Sequence, residues 1–164
     1  MNIYEYAMQM EKDGEEYYRE LGEKSGEKGL QFIFTLLAEE EVTHYNILEQ
    51  MSRSDPNAEL PEKDKELLQS AKNVFAEMKE EIRNVSFEFP QVEFYRKALA
   101  AEEKSIQYYL EMSEKVESEA HKAIFLELAK EEKKHKFLMD NVIEFISKPQ
   151  IWLEDAEFSR LDEY

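Results

Sequence analysis

Leu37-Ala38-Glu39-Glu40-Glu41-Val42-Thr43-His44 and, further along, Leu128-Ala129-Lys130-Glu131-Glu132-Lys133-Lys134-His135 share the pattern Leu-Ala-x-Glu-Glu-x-x-His. On a helix, residues three apart lie on one face, so Glu41 with His44, and Glu132 with His135, can reach one metal ion together. A lone Glu-x-x-His on a Glu-rich helix is most often a solvated face. Two in the same local context, both pairs offset by 91 positions (41 to 132, 44 to 135), point to an internal repeat.

The same offset extends the match outward without a gap. Tyr95, Ala98, Glu102, Tyr108, Tyr109, Glu111, Glu114 and Lys115 fall on Tyr4, Ala7, Glu11, Tyr17, Tyr18, Glu20, Glu23 and Lys24, and Ile124, Phe125, Leu128 and Ala129 fall on Ile33, Phe34, Leu37 and Ala38. Such a match reads as two copies of one helical hairpin. In the first, 3–51, the stripe Tyr4, Ala7, Glu11, Gly14, Tyr18, Leu21 opens on an Asn2/Glu5 capping-box pattern and breaks at Gly22, Gly26 and Gly29. A second stripe, Phe34, Leu37, Glu41, His44, Leu48, Met51, ends before the turn-rich run 52–57. The second copy, 94–147, repeats both. Tyr95, Ala98, Glu102, Ser105, Tyr109 and Met112 lie on a helix from about Val92 to Val116, and Phe125, Leu128, Glu132, His135, Met139 and Val142 on one that stops at Ser147-Lys148-Pro149.

A hairpin cannot bury its stripe alone. The fold class expected is therefore all-α: a four-helix bundle of the two hairpins packed face to face, one domain over 1–164. The connection, 52–93, is too long for a tight turn. Its stripe Leu67, Ala71, Val74, Met78, Ile82 predicts a crossover helix from Pro61 to about Asn84, roughly 35 Å at 1.5 Å per residue, or about one bundle length. The third bundle helix then starts at the end where the second began. The tail, 148–164, carries Ile151, Trp152, Leu153, Phe158 and Leu161 and is expected to dock on the bundle.

Composition narrows the partners. With 21 basic and 38 acidic residues the net charge is −17, so nucleic-acid phosphates and anionic membrane surfaces are repelled, and no nucleic acid and no membrane partner is expected. The chain has no cysteine, which removes disulfides, thiolate zinc sites and iron–sulfur clusters and leaves only oxygen and nitrogen ligands. Residues 1–6 lack a basic start and an apolar stretch, and the longest apolar run, 32–38, is too short to span a bilayer. A cytoplasmic location is expected.

Packing the copies about a twofold axis brings Glu11, Glu41 and His44 opposite Glu102, Glu132 and His135. Four carboxylates offset two divalent ions, and a carboxylate–imidazole shell with open positions suits iron or manganese better than calcium. Without metal, four such charges in a core must take up protons or repel.

These residues make the chain resemble the ferritin-like di-iron-carboxylate superfamily, most closely its rubrerythrin-like branch, over 3–51 and 94–142. The resemblance implies two iron ions, with manganese as the alternative, held by Glu11, Glu41, His44, Glu102, Glu132 and His135. By the same resemblance Glu41 and Glu132 bridge the ions and the other four are terminal ligands. It further implies oxidoreductase chemistry on a small oxidant, peroxide or oxygen, or the oxidation of ferrous iron. Two departures bear on this. Ser105 stands where rubrerythrins carry a further Glu, and the chain lacks the cysteines of a rubredoxin module, so electrons are expected from a separate electron-donor protein. A non-enzymatic iron buffer or carrier with the same ligands, and a metal-free helical interaction module, are the alternative readings. A homo-oligomer is compatible with each.

The residues leave some points open. The repeat does not separate Glu40 from Glu41, or Glu131 from Glu132, as ligands, whereas Glu103 is disfavoured because position 12 is Lys. Tyr18 and Tyr109, two turns beyond Glu11 and Glu102, either touch the ligand shell or fill the core, and core filling is the expectation. His121 matches Leu30 and is read as a surface residue. No catalytic residue is assigned beyond the ligands.

Overall fold

The first helix, α1 (Ile3–Lys24), starts where Asn2 stops the chain from extending further back. The Asn2 side chain accepts the Glu5 backbone N–H at 2.8 Å, and the Glu5 carboxylate accepts the Asn2 N–H at 3.3 Å, so the expected capping box forms. Three residues turn the chain into α2 (Lys28–Ser52), whose first turn is closed by the Glu27 carboxylate accepting the Leu30 N–H at 2.7 Å. A turn this short makes the two helices antiparallel neighbours. The second hairpin repeats the device: α4 (Val92–Lys115) and α5 (Glu119–Ser147) are joined through Ser118, whose hydroxyl accepts the His121 N–H at 3.2 Å. The computed structural model describes residues 1–61, 67–81, 92–154 and 157–164, and all regular structure among them is helical.

Cross-hairpin contacts fix the direction of each helix. Tyr108, near the end of α4, donates its hydroxyl to the Ile3 carbonyl at the start of α1 (2.8 Å), and the Lys24 ammonium at the end of α1 sits 3.7 Å over the Phe94 ring at the start of α4. These two helices therefore run antiparallel. So do α2 and α5, since His44 meets Glu131 while His135 meets Glu40. Helix α4 thus begins at the end of the bundle where α2 begins, as a crossover requires.

Among the described residues the crossover is seen as α3 (Leu67–Glu81). Pro61 is not helical, and the expected extension through Ile82 to Asn84 lies outside the described residues. Leu67, Leu68, Ala71, Val74, Phe75 and Met78 bury one face of α3. Glycine at position 29 permits this close seating, because a Cβ there would lie 2.7 Å from Val74 Cγ1 and 2.9 Å from Met78 Sδ. The tail forms α6 (Pro149–Glu154) and a 3-10 turn (Glu157–Glu163). Trp152 is 1% exposed, its ring edge-on to Phe75 at 5.7 Å, and Leu153 and Leu161 are buried beside it. The side chains of Ile151 and Phe158 lie outside the described set.

Two apolar clusters fill the bundle. One gathers Tyr18, Leu37, Ala38, Ala98 and Leu138 with α3 and Trp152; the other gathers Ala7, Ile47, Leu48, Tyr109, Phe125 and Ala129. On every bundle helix the stripe passes from one cluster to the other through a polar interval: Glu11 and Gly14, Glu41 and His44, Glu102 and Ser105, Glu132 and His135. Each fully buried aliphatic or aromatic side chain stabilises the fold by about 1.5–3 kcal/mol, and these two clusters clamp the polar band between them. The bundle tolerates charge at its middle because both flanks are dry.

Candidate metal centre

That band contains all six residues singled out above. Glu11, Glu41, Glu102 and Glu132 are at most 3% exposed, and His44 and His135 are fully buried. Ligand atoms of Glu11, Glu41, His44 and Glu132 lie within 4.8 Å of one another, as do those of Glu41, Glu102, Glu132 and His135. Glu41 and Glu132 belong to both groups.

The imidazoles turn Nδ1 inward and Nε2 outward. His44 Nδ1 lies 2.7 Å from Glu132 Oε1 and 3.4 Å from Glu11 Oε2, while His135 Nδ1 lies 2.8 Å from Glu41 Oε1 and 3.3 Å from Glu102 Oε1. On the outer side His44 Nε2 meets Glu131 Oε1, and His135 Nε2 meets Glu40 Oε1, both at 2.9 Å. The two rings are nearly parallel with centroids 5.7 Å apart. Each histidine is thus gripped by a carboxylate of the opposite hairpin, an arrangement that fixes ring orientation and leaves one nitrogen for a ligand role.

Whether a metal fits here can be judged from the oxygens. One carboxylate oxygen on each of four glutamates, Glu11 Oε2, Glu41 Oε1, Glu102 Oε2 and Glu132 Oε2, is buried without a hydrogen bond. Glu41 Oε1 is close to His135 Nδ1 but not aligned with it as a hydrogen bond. Four buried acceptors without donors are costly, and they converge with two imidazole nitrogens. A hard-oxygen and imidazole set of this kind suits divalent iron or manganese, so the residues present fit a di-metal centre.

Protons do the balancing when metal is absent. Burial, reinforced by the charges of Glu11, Glu132 and Glu102, pushes the Glu41 carboxyl well above the usual range, and burial with Glu132 pushes Glu102 up to about 8. Burial opposes charge on the imidazoles, yet Glu11 beside His44, and Glu102 and Glu132 beside His135, hold both well above the ordinary histidine value. For Glu11 burial is outweighed by His44, and for Glu132 burial and Glu11 are outweighed by Glu102 and His135, so both end below the usual range. These directions favour protons on Glu41 and Glu102 and positive charge on both imidazoles, which offsets the charge of Glu11 and Glu132.

Three expectations are refined by the geometry. Tyr18 and Tyr109 are more than core filling: the Tyr18 hydroxyl donates to Glu102 Oε1 and the Tyr109 hydroxyl to Glu11 Oε1, each across to the other hairpin. Periodicity placed them on the right face, but a buried tyrosine in an apolar stripe carries no mark of what its hydroxyl reaches. Of the neighbouring glutamates, Glu41 and Glu132 each belong to both four-residue groups, while Glu40 and Glu131 bond the outer histidine nitrogens and form a third convergent group with His44. Doubling of the Glu-Glu pair in both copies was the available signal. His121, read as a surface residue, is half-buried and bonded through Nδ1 to the Tyr4 hydroxyl at 2.7 Å. Glu103 remains outside, exposed and 3.6 Å from Lys136.

Among the described residues no helix is long and apolar enough to cross a membrane. Compared with known proteins, the chain matches a family model described as rubrerythrin over residues 2–89 and 93–159. Neither the curated proteins nor the solved structures contain a match.

Proposed function

This chain belongs to the rubrerythrin family, and from that premise we propose that it holds two iron ions on Glu11, Glu41, His44, Glu102, Glu132 and His135 and acts as an oxidoreductase on peroxide or oxygen. The observation that carries this reading is the overlap of two buried four-residue groups through Glu41 and Glu132. Two shared carboxylates suit a pair of ions better than two isolated ones. When bound, iron supplies one-electron redox chemistry and coordination positions open to a small oxidant.

The chain's own residues do the rest. Glu41 and Glu132, shared by both groups, would hold both ions, and Glu11, Glu102, His44 and His135 would complete the shell. Tyr18 and Tyr109 hold the terminal glutamates by one oxygen each, leaving the other free to bind. Glu131 and Glu40 accept the outer N–H of His44 and His135, which keeps the Nδ1 lone pairs directed inward. The apolar clusters on both sides exclude bulk water from the band. With no cysteine in the chain, reducing equivalents come from a separate donor, and the acidic surface favours a donor with a basic docking face.

The test is direct. Protein isolated without added metal is analysed for iron and manganese, then loaded anaerobically with ferrous ion and mixed rapidly with peroxide, with and without an electron donor. Fast oxidation in one turnover, a stall without donor and repeated turnover with it support the oxidoreductase. A reduced, loaded site inert to peroxide and oxygen points instead to an iron buffer, and a chain that binds no metal in its folded form sinks both.

A further inference from the structure

A cleft of about 390 Å³ opens between α1 and α4, lined by Met10, Asp13 and Tyr17 on one helix and by Lys97, Lys104 and Ser105 on the other. Its position relative to the carboxylate band follows from the helices. The α1 lining residues bracket Glu11 and Gly14, and Ser105 lies one turn after Glu102 on the same buried face. The inner end of the cleft therefore lies against the band.

Ser105 is 7% exposed, and its hydroxyl makes no hydrogen bond among the described residues. Thr35, Thr43 and Ser147, by contrast, each donate to the backbone carbonyl one turn back. A hydroxyl with no protein partner that faces a cavity beside a metal-type donor set is placed to bond something that enters the cavity.

The mouth of the cleft departs from the rest of the surface in sign. On a chain of net charge −17 it carries two lysines. Neither is ion-paired among the described residues; Lys97 lies 5.7 Å from the Phe94 ring centroid and Lys104 lies 5.4 Å from that of Tyr6. Asp13, the acidic residue lining the cleft, accepts the Gln9 amide at 2.8 Å, and nearby Glu20 pairs with Lys24 at 2.6 Å while also feeling the charge of Lys97.

We infer that this cleft admits a small monovalent anion to the metal centre, with Lys97 and Lys104 attracting it and the Ser105 hydroxyl donating a hydrogen bond to it at the inner end. The inference rests on the di-metal reading above. It concerns binding only, so an inert inorganic anion and one derived from the oxidant share the recognition chemistry, and azide is the probe.

Iron content is measured first in wild type and in each variant, and the oxidised, loaded proteins are then titrated with azide by visible absorption. Ser105→Ala should bind azide about tenfold or more weakly, as expected for a lost hydrogen bond to a charged group, while Ser105→Thr restores part of the affinity. Lys97→Gln with Lys104→Gln should weaken binding severalfold at low salt, a difference that fades as salt is added. Exposed Glu103→Gln should leave it unchanged. Equal azide affinity in wild type, Ser105→Ala and the double lysine variant, all with full iron, overturns the inference, as does wild type that holds iron but no azide. Loss of iron from Ser105→Ala alone would assign that residue to holding the shell and overturn its anion role. Wild type without iron overturns the di-metal reading itself, a failure told apart by the iron analysis.

Discussion

Loading the metal-free protein with two manganous ions should release about four protons near neutral pH. The count is built from the residues. His44 and His135 are held as imidazoliums, and each gives up only its Nδ1 proton, because the Nε2–H remains on Glu131 or Glu40. Glu41 and Glu102 are held protonated and give up one each. Glu11 and Glu132 are already ionised, and Tyr18 and Tyr109, whose phenols burial raises further, keep theirs. With about four protons in the equilibrium, the product of the two binding constants rises on the order of 10⁴-fold per pH unit below the raised values, or about a hundredfold per ion. Manganese is the ion of choice because it does not oxidise readily during the titration. The assay is calorimetric titration in two buffers of different ionisation heat, or an indicator dye in weakly buffered protein. Release of no proton, or of one, would refute the account of a site whose charge is offset by protons.

Four further outcomes follow. Without metal, stability should fall as pH rises from about 6 to 9: the raised Glu102 and Glu41 resist ionising in the fold, and the contribution of the raised imidazoles is complete below about 6.5 and lost above it. Melting with chelator across that range checks the sign, and a flat or rising profile contradicts it. Glu41→Ala or Glu132→Ala should cost far more metal affinity than Glu103→Ala, measured by anaerobic titration; equal losses would end the bridging assignment. Tyr18→Phe and Tyr109→Phe each remove a donor to a buried carboxylate and should destabilise the loaded protein by about 1–3 kcal/mol, read from denaturant midpoints. Gly14→Ala should lower metal affinity while leaving the metal-free melting temperature nearly unchanged, since its Cβ would stand 2.7 Å from Glu41 Oε2, a mobile side-chain end that must turn away; unaltered binding would show that Glu41 has room to spare.

Much of this arrangement was legible because helical periodicity and a repeated register constrain each other. The 91-position offset picked out Glu11 and Glu102 from among many acidic residues, and their burial beside His44 and His135 follows from sharing one stripe. What stayed illegible depends on contacts between hairpins. Nothing local in the chain tells that Tyr18 reaches Glu102 rather than apolar neighbours, or that Glu40 grips His135, since these partners are 84 and 95 positions apart. The crossover was found by its apolar stripe; Pro61 itself is not helical, and its link to α3 lies outside the described residues. His121, read as a surface residue, is partly exposed, and its contact with Tyr4, 117 positions away, carries no local signal.

The crossed grip of the two hairpins also sets an order of events during synthesis. Among the described residues, each group of side chains able to hold an ion includes Glu131 or Glu132, so none of these sets is complete until the ribosome has passed those codons. Until then the first hairpin emerges with Glu11, Glu41 and His44 but no opposing partners. A chain interrupted anywhere before α5 would therefore be unable to assemble the proposed centre, so metal capture there would wait on the second hairpin.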